Sequence, residues 1–261
     1  MAAPETDLAL AHELADAADA ITMDRFRADD LAVETKPDLT PVSEADKAVE
    51  RELRRHLAAV RPADAVVGEE YGAGADGQAA RRWIVDPIDG TKSYVRGVPV
   101  WATLLALEEQ GELNLGLVSA PALGRRWWAV RGQGAFAREN GSERRLHVSR
   151  VRELRDAQLC FSDFDGWQAD GRLQALLRLS ARCWRTRGYG DFWQHMLVAE
   201  GAAEIAVDPG VSLWDLAAIL VVVREAGGRM TDLDGVERAD GGDGVSTNGL
   251  LHDTVLSALR G

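Results

Sequence analysis

The 261-residue sequence contains only two cysteines, Cys160 and Cys183, and they do not form a C-x-x-C pair. This scarcity argues against a disulfide framework and against a thiolate metal site. Both cysteines are therefore predicted to be reduced residues of the core.

Long apolar runs and a secretion signal are also missing. No uninterrupted apolar segment reaches the roughly 18 residues that a transmembrane helix needs. The start, "MAAPETDLALAHELADAADA", has neither a basic segment nor an apolar one. The sequence predicts a soluble, cytoplasmic protein without a membrane partner.

Positive charge is in short supply, with 30 basic residues against 42 acidic ones and a formal net charge of −12. Nucleic acids and anionic membranes require a basic footprint, and no basic stripe is visible. We therefore expect neither as a partner. The hydrophobic content of 46% is sufficient for the core of one large domain or of two closely packed ones.

The first half reads as a sheet flanked by two helices. Small and apolar side chains recur at helical spacing over residues 6–28, with Thr6 or Asp7 as the predicted N-cap. A loop over 34–42 precedes a second helix that starts near Ser43. The predicted strands are 65–67, 82–85, 101–108, 113–120, 127–130, 135–137 and 144–148.

After about residue 150, helices alternate with shorter strands. The predicted strands are 159–161, 183–186, 203–207, 229–232 and 245–247, and the predicted helices are 170–181, 192–200, 213–227 and 250–260. We place a boundary near residue 148 without a flexible linker. Residues 1–148 then form an N-terminal α+β half, and residues 149–261 form a C-terminal α/β half.

Acidic residues stand at predicted strand ends or helix starts in four places. They are Glu69 in "VVGEEYG", Asp86 and Asp89 in "WIVDPIDGTKSY", Asp215 in "SLWDLAA", and Asp46 three residues after a serine. Each has an ordinary alternative: a solvated charge pair in the first case, turn chemistry in the second, and helix capping in the last two.

Taken together, these acids indicate a metal site. Strand ends and helix starts are where α/β layers gather ligands. Each pair of carboxylates about 4 Å apart would cost about 4 kcal/mol at an effective dielectric constant of 20, unless a cation binds between them. Oxygen ligands without histidine or cysteine select Mg²⁺ before Zn²⁺, and Mg²⁺ prefers to share its ligands with a phosphate.

Gly90 and Thr91 follow the paired aspartates directly. If a helix starts there, its unpaired backbone N–H groups can hold a phosphate oxyanion. The hydroxyl of Thr91 can hydrogen-bond a water molecule whose proton Glu69 takes. These residues together predict a hydrolase of phosphate esters.

The motifs "GEE", "WIVDPIDGTKSY", "SLWDLAA" and "REAGG" occur in this order and resemble those of the inositol monophosphatase family. The resemblance spans nearly the whole chain. It implies an α/β fold built as a layered α/β/α/β/α sandwich, Mg²⁺ as the cofactor, and a homodimer. "KPDLTPVSEAD" is similar to the mobile N-terminal loop of that family, which carries a lysine and ends in an aspartate near the metals.

Carried over residue by residue, the resemblance implies two or three Mg²⁺ ions in one site. Their ligands would be Glu69, Asp86, the carbonyl of Ile88, Asp89 and Asp215. Asp46 would help to position a loosely held third ion through water. Asp89, Gly90 and Thr91 would cradle the phosphate, and Thr91 and Glu69 would activate the attacking water.

Within this family, "RGVPVWATLLAL" and "RTRGYGDFW" resemble segments of the bacterial members that hydrolyse histidinol phosphate. Arg187, Asp191, Asp208 and Trp193 are the predicted substrate contacts. The two acids would pair with the ammonium and imidazole groups, and Trp193 or Phe192 would lie against the ring. The alternative for Asp191 is that it caps a helix beginning at Phe192.

Two other functions remain open at this point. One is hydrolysis of inositol phosphate or another sugar phosphate, although the Gly188-Tyr189-Gly190-Asp191 segment departs from the inositol-cleaving pattern. The other is a non-catalytic cation-binding protein. The presence of Thr91 beside Asp89 argues against the latter, because a metal buffer needs no water-activating hydroxyl.

Overall fold

The computed structural model describes residues 4–36, 40–73 and 79–260. The helices in these ranges are α1 (Pro4–Arg25), α2 (Glu44–Val60), α3 (Thr91–Val95), α4 (Phe164–Ala169), α5 (Leu173–Ser180), α6 (Asp191–Ala199), α7 (Leu213–Glu225) and α8 (His252–Arg260). No described helix has the length and apolar character needed to cross a bilayer.

The strands in the same ranges form three sheets. They are β1 (Val33–Thr35), β2 (Pro41–Ser43), β3 (Ala65–Gly68), β4 (Gly72–Ala73), β5 (Arg81–Asp89), β6 (Ala102–Glu109), β7 (Glu112–Ala120), β8 (Arg125–Val130), β9 (Gly134–Glu139), β10 (Ser142–Arg145), β11 (Gln158–Phe161), β12 (Arg185–Gly188), β13 (Ile205–Pro209), β14 (Arg229–Thr231) and β15 (Asp243–Thr247).

The largest sheet has eight strands in the order β10-β9-β8-β7-β6-β5-β3-β4. It is antiparallel except for the pair β3 and β5. Both faces of its central strands are buried, so those strands are apolar almost throughout. The turn between β6 and β7 is made by Gln110 and Gly111, whose φ angles of 55° and 82° suit a tight hairpin.

A second sheet has five strands in the order β12-β11-β13-β15-β14 and mixes parallel and antiparallel pairs. It lies wholly on the C-terminal side of the predicted boundary at residue 148, whereas the eight-stranded sheet lies wholly on the other side. The division into two halves stays a prediction. A small third sheet pairs β1 with β2.

The helices form three layers around the two large sheets. Helices α1 and α2 pack on one face of the eight-stranded sheet. Helices α6 and α7 pack against its other face, and α6 also contacts the five-stranded sheet. Helices α4, α5 and α8 cover the outer face of that second sheet. The α/β/α/β/α sandwich implied by the resemblance is therefore confirmed.

Several predicted elements differ from the structure. The first helix begins at Pro4, and Asp7 is buried in an ion pair with Arg81 rather than acting as the N-cap. The loop predicted over 34–42 contains β1 and β2. The strand predicted at 144–148 is Ser142–Arg145. The helix predicted at 170–181 is α5, which begins only at Leu173, after Gly171 with its φ of 76°, and α4 was not predicted.

Close packing of α7 against β7 depends on the absence of a side chain at Gly116. A Cβ added there would collide with the carbonyl oxygen of Ala218 and would lie 3.0 Å from Cβ of Val221. We expect Gly116→Ala to lower the free energy of unfolding by about 1–3 kcal/mol, because backbone and core side chains would have to shift. Urea denaturation followed by circular dichroism measures this.

The matched control is Gly188→Ala in β12. The nearest atom to a Cβ added there lies 3.6 Å away, which is an ordinary contact. Its free energy of unfolding should change by less than about 1 kcal/mol. Equal stability losses in the two variants would contradict the packing argument.

Candidate active site

Two predicted metal ligands, Asp86 and Asp89, lie on the last part of β5. In a regular strand they would point to opposite faces, since they are three residues apart. The register with β6 shifts between them, so that three steps along β5 match two steps along β6. This bulge brings both carboxyl groups to one side. The buried hydroxyl of Thr103 donates to the carbonyl of Pro87 at 2.7 Å and holds the bulged segment.

Asp215 joins this pair from the first turn of α7. Oδ2 of Asp215 accepts a hydrogen bond from the backbone N–H of Ser212 at 2.6 Å, as the capping alternative predicted. Carboxylate oxygens of Asp86, Asp89 and Asp215 nevertheless all lie within 4.8 Å of one another. The carboxylate of Asp215 therefore caps α7 and belongs to the acidic cluster at the same time.

The donor set fits a hard cation. Oδ1 of Asp86 is buried and has no hydrogen-bond partner among the described residues. Buried acceptors are nearly always satisfied, by protein, water or an ion. An unpartnered oxygen among three carboxylates is the environment that Mg²⁺ or Ca²⁺ satisfies.

Glu69 lies at the turn after β3 and lines the same cavity as the three aspartates. Its Oε1 accepts a hydrogen bond from Nζ of Lys36 at 2.6 Å, and the same ammonium contacts Glu70 at 2.6 Å. Although burial acts to lower it, the pKa of Lys36 is raised by these two carboxylates. Residues 37–39 of the predicted loop lie outside the described residues.

Gly90 and Thr91 form the start of α3, where the sequence predicted a helix. Gly90 has a left-handed φ of 82°, and a Cβ there would lie 3.0 Å from the carbonyl oxygen of Val100. Both the conformation and the space require glycine. Oγ1 of Thr91 lies 2.9 Å from the carbonyl oxygen of Ile88 and 3.2 Å from Oδ1 of Asp46.

Asp46 is fully buried behind Thr91, in the first turn of α2. Its Oδ2 accepts hydrogen bonds from the backbone N–H and the hydroxyl of Ser43, at 2.9 and 2.5 Å. The helix-capping interpretation is correct for this residue, and it leaves Oδ1 for Thr91. Burial raises the pKa of Asp46, and the charge of Glu69 adds to that effect.

The carboxyl groups resist ionisation without a cation. Burial, followed by the charge of neighbouring acids, raises the pKa of Asp86 and of Asp89 well above the ordinary value. The same two causes raise the pKa of Asp191 to about 7. Burial raises the pKa of Asp215 to about 6, against the effect of its hydrogen bond from Ser212.

These groups line a cavity of about 400 Å³ between the two sheets. Most of the residues predicted from the sequence are in its wall. They are Glu69, Asp86, Ile88, Asp89, Gly90, Thr91, Asp191, Phe192, Asp208 and Asp215.

Asp191 enters the cavity wall from the start of α6. It does not cap that helix, because the N-cap is Gly190 and no side-chain cap bond forms. The backbone N–H of Phe192 instead donates to Oδ2 of Asp89 at 2.6 Å. Asp191 has a left-handed φ of 53°, which aspartate tolerates better than most residues.

Asp208 lies in the cavity wall at the end of β13, but it has several partners within the protein. Ser162 donates to its Oδ1, and Gln194 donates to its Oδ2. Nε2 of His195 lies 3.0 Å from Oδ2 as well. The carboxylate is thus held in a buried network rather than left open to the cavity.

Two predicted substrate contacts lie elsewhere. Arg187 is exposed on β12, where its guanidinium donates to the carbonyl of Thr186 at 2.7 Å. Trp193 packs against the core between the sheets, with its ring centroid 5.2 Å from that of Tyr189. Neither lines the cavity within this chain. The sequence did not specify which face of α6 points inward, and Phe192 takes that place.

Several cavity residues are not among the site residues predicted from the sequence. Trp214, Lys36, Lys92, Ser162 and His195 all contribute to the wall. Trp214 directly precedes Asp215 in "SLWDLAA". Its position beside a predicted ligand could therefore have indicated that it lies near the site. Nothing in the local pattern marks Ser162, which reaches the site only because β11 and β13 are adjacent strands.

Comparisons with known proteins show the family to which the chain belongs. The sequence profile of the inositol monophosphatase family matches residues 3–260. Histidinol-phosphatases from Streptomyces coelicolor and Mycobacterium tuberculosis are 57% and 58% identical, each over 97% of this chain and over 97% and 98% of their own lengths. The structure of the Thermotoga maritima IMPase superposes with a TM-score of 0.86 at 30% identity, covering 98% of this chain and 97% of that one. The chain belongs to the inositol monophosphatase family.

Proposed function

We propose that this chain is a Mg²⁺-dependent phosphomonoesterase that hydrolyses L-histidinol phosphate to L-histidinol and phosphate. The observation that carries the proposal is the cluster of Asp86, Asp89 and Asp215 in one cavity wall with Thr91. The choice of substrate is supported by the 57–58% identity to histidinol-phosphatases, compared with 30% to the Thermotoga maritima IMPase.

Asp86, Asp89 and Asp215 would hold Mg²⁺, together with Glu69 and the carbonyl of Ile88. When bound, Mg²⁺ supplies positive charge that offsets the carboxylates and a phosphate, and it lowers the pKa of water. The carboxylate of Glu69 is paired with Lys36 in this structure, so it would have to leave Lys36 in order to bind the ion. Two or three ions per site remain our proposal from the family resemblance.

Thr91 and Asp46 form a short path for a proton. The hydroxyl of Thr91 lies within reach of Oδ1 of Asp46, so its oxygen can accept a hydrogen bond from an attacking water. The proton released by that water can pass to Thr91 Oγ1 while the Thr91 proton passes to Asp46. The raised pKa of Asp46 suits it to hold that proton.

Asp191 would bind the cationic part of the substrate. Its side chain makes no capping bond at the start of α6. The other acid predicted to contact the substrate, Asp208, is instead held by Ser162 and His195. Trp214 offers aromatic surface in the same wall for the imidazole ring, whereas the side chain of Phe192 is fully buried. Asp208 would then hold His195 and support the wall.

Arg187 and Trp193 remain proposed contacts only for a substrate that reaches β12.

The homodimer and the cytoplasmic location also remain proposals. Trp184, which precedes β12 and is 65% exposed, supports an interface at that edge of the second sheet.

Phosphate release from the purified protein tests the proposed function. With Mg²⁺ present, we expect kcat/KM for L-histidinol phosphate to exceed that for inositol 1-phosphate and fructose 1,6-bisphosphate by at least about 100-fold, because a site built to pair with a cationic group rejects analogues that lack one. A preference for inositol phosphate would identify the alternative function. No turnover of any ester would favour a non-catalytic cation-binding protein.

A substitution at Asp191 tests how the substrate is recognised. Asp191→Asn keeps the shape and tolerates a left-handed backbone, but it removes the charge that would pair with the ammonium. We expect kcat/KM for histidinol phosphate to fall about 10- to 100-fold, as for a lost charged hydrogen bond. Hydrolysis of an aryl phosphate whose aryl group carries no charge should change little.

The control is Asp165→Asn, which removes the same charge from an exposed site on α4. It should leave both substrates unaffected. Equal losses of both activities in Asp191→Asn would show that Asp191 supports the site structurally and does not contact the substrate.

The raised pKa values of Asp86, Asp191 and Asp215 predict a pH-dependent stability of the metal-free protein. A carboxyl group whose pKa is higher in the folded than in the unfolded state favours folding at low pH. That contribution is lost as the pH rises through the folded-state values of about 6 to 7. In EDTA, the melting temperature should therefore fall between pH 5 and pH 8, and Mg²⁺ should restore it.

Asp86→Asn separates this effect from the general charge of the protein. In EDTA at pH 8 its free energy of unfolding should exceed that of the unchanged protein by about 1–3 kcal/mol. Each kcal/mol should raise the melting temperature by roughly 2–4 °C. It should gain less stability from Mg²⁺. Asp7→Asn, at a buried ion pair outside the cavity wall, should lose stability and keep the full Mg²⁺ response. An undiminished Mg²⁺ response in Asp86→Asn would refute its assignment as a ligand.

A further inference from the structure

We propose that Glu50 is a positioning residue that fixes the turn carrying Glu69. The inference rests on the proposed function, because Glu69 is a proposed metal ligand. Glu50 lies on α2, one helical turn after Asp46, and its side chain is fully buried. It is outside the cavity wall, so it would act only through the backbone that it holds.

The carboxyl group of Glu50 binds the two peptide groups that follow Glu69. Its Oε2 accepts the backbone N–H of Glu70 at 2.7 Å, and its Oε1 accepts the backbone N–H of Tyr71 at 3.2 Å. Each of its two oxygens thus holds one peptide of the turn. The orientation of the Glu69 side chain follows from the orientation of these peptides.

Arg54 completes the arrangement one turn further along α2. Its Nε donates to Oε1 of Glu50 at 2.8 Å. Its two terminal nitrogens donate to the carbonyl of Val66 at 3.2 Å and to the carbonyl of Gly72 at 2.5 Å. One guanidinium therefore ties both arms of the β3–β4 hairpin to the helix, with Glu69 between them.

Gly68 leaves the space that Glu50 occupies. Its φ is not in the left-handed region, so the backbone conformation does not require glycine. A Cβ added to Gly68 would instead overlap the carboxyl group of Glu50 and would lie 2.6 Å from its Oε2. The glycine of "GEE" is thus explained by close approach of the Glu50 carboxyl group to the strand end.

The position of this ion pair points to the site rather than to stability alone. The side chain of Glu50 is fully buried, whereas that of Arg54 is 25% exposed. Desolvating a carboxylate in this way is costly, and apolar residues of similar size often stabilise a fold as well or better. Apart from the bond between them, the hydrogen bonds of Glu50 and Arg54 given above all go to the β3–β4 hairpin. Partners that orient a metal ligand typically change metal affinity or activity by roughly 10- to 100-fold when they are removed.

Glu50→Gln tests the inference with little change in volume. One acceptor oxygen becomes an NH₂ group that must face a peptide N–H, and the ion pair with Arg54 is lost. We expect the affinity for Mg²⁺, measured by calorimetric titration, to fall roughly 10-fold or more. The kcat for histidinol phosphate should fall by a similar factor, with a smaller change in KM at saturating Mg²⁺.

Gly68→Ala provides a second, independent variant, because its methyl group should displace the Glu50 carboxyl group. It should show the same loss of Mg²⁺ affinity. In the double variant with Glu50→Asp, whose shorter side chain makes room, the effect of Gly68→Ala should be smaller than in the unchanged protein. This non-additivity would not arise from two unrelated structural defects.

Two glutamates serve as matched controls. Glu204→Gln removes another buried carboxylate that accepts a backbone N–H, that of Gln158 at 2.7 Å, and it should lower stability without altering Mg²⁺ affinity. Glu52→Gln, on the outer face of α2, should change neither.

The inference is overturned if Glu50→Gln and Gly68→Ala bind Mg²⁺ as tightly as the unchanged protein, whatever their melting temperatures. Failure of the unchanged protein to hydrolyse any phosphate ester would refute the proposed function instead. The Mg²⁺ titrations would still decide the assignment of Glu50 in that case.

Discussion

Mutual repulsion among buried carboxylates is the constraint on which this structure depends. Asp86, Asp89 and Asp215 place oxygens within 4.8 Å of one another, and burial raises their pKa values further. Such a cluster would relax or take up protons unless rigid elements held it, because each unscreened contact costs several kcal/mol. The bulge in β5, the capped start of α7 and the fully packed layers around them provide that rigidity. The fold therefore holds in place a group of acids whose mutual repulsion a bound cation would relieve.

The acidic residues of the cavity come from two parts of the fold. The eight-stranded sheet supplies Asp86 and Asp89, whereas α6 and the five-stranded sheet supply Asp191 and Asp208. Helix α7 joins them, because it is buried from Leu216 to Val223 between the sheets while its first turn presents Asp215. Its close contact with β7 at Gly116 therefore sets the position of a proposed metal ligand through core packing. In this arrangement the reacting phosphate and the rest of the substrate would meet different parts of the chain.

Sequence patterns predicted the long elements, since burial on both faces and helical periodicity are strong local signals, and they predicted the acidic residues of the cavity wall. They could not show the bulge that brings Asp86 and Asp89 to one side, because a bulge depends on the neighbouring strand. Adjacent positions on a helix point about 100° apart, so the choice between Phe192 and Trp193 required the packing of α6. The strands β1 and β2 lie in a proline-containing segment without alternation and were missed for that reason. Glu50 was invisible as well, since its significance comes entirely from the peptides it binds 20 and 21 residues further along the chain.

Asp191 gives the strongest structural argument about the substrate. It adds another acid to a cavity that is already crowded with carboxyl groups, and burial and its neighbours raise its pKa to about 7. It also adopts a left-handed backbone conformation, which costs a non-glycine residue on the order of 1 kcal/mol. A neutral polyol would compensate neither cost. A substrate with an ammonium group beyond its phosphate would pair with this carboxylate and leave the other acids to the metal. The charge of Asp191 is thus the feature by which we propose that the site distinguishes histidinol phosphate from an inositol phosphate.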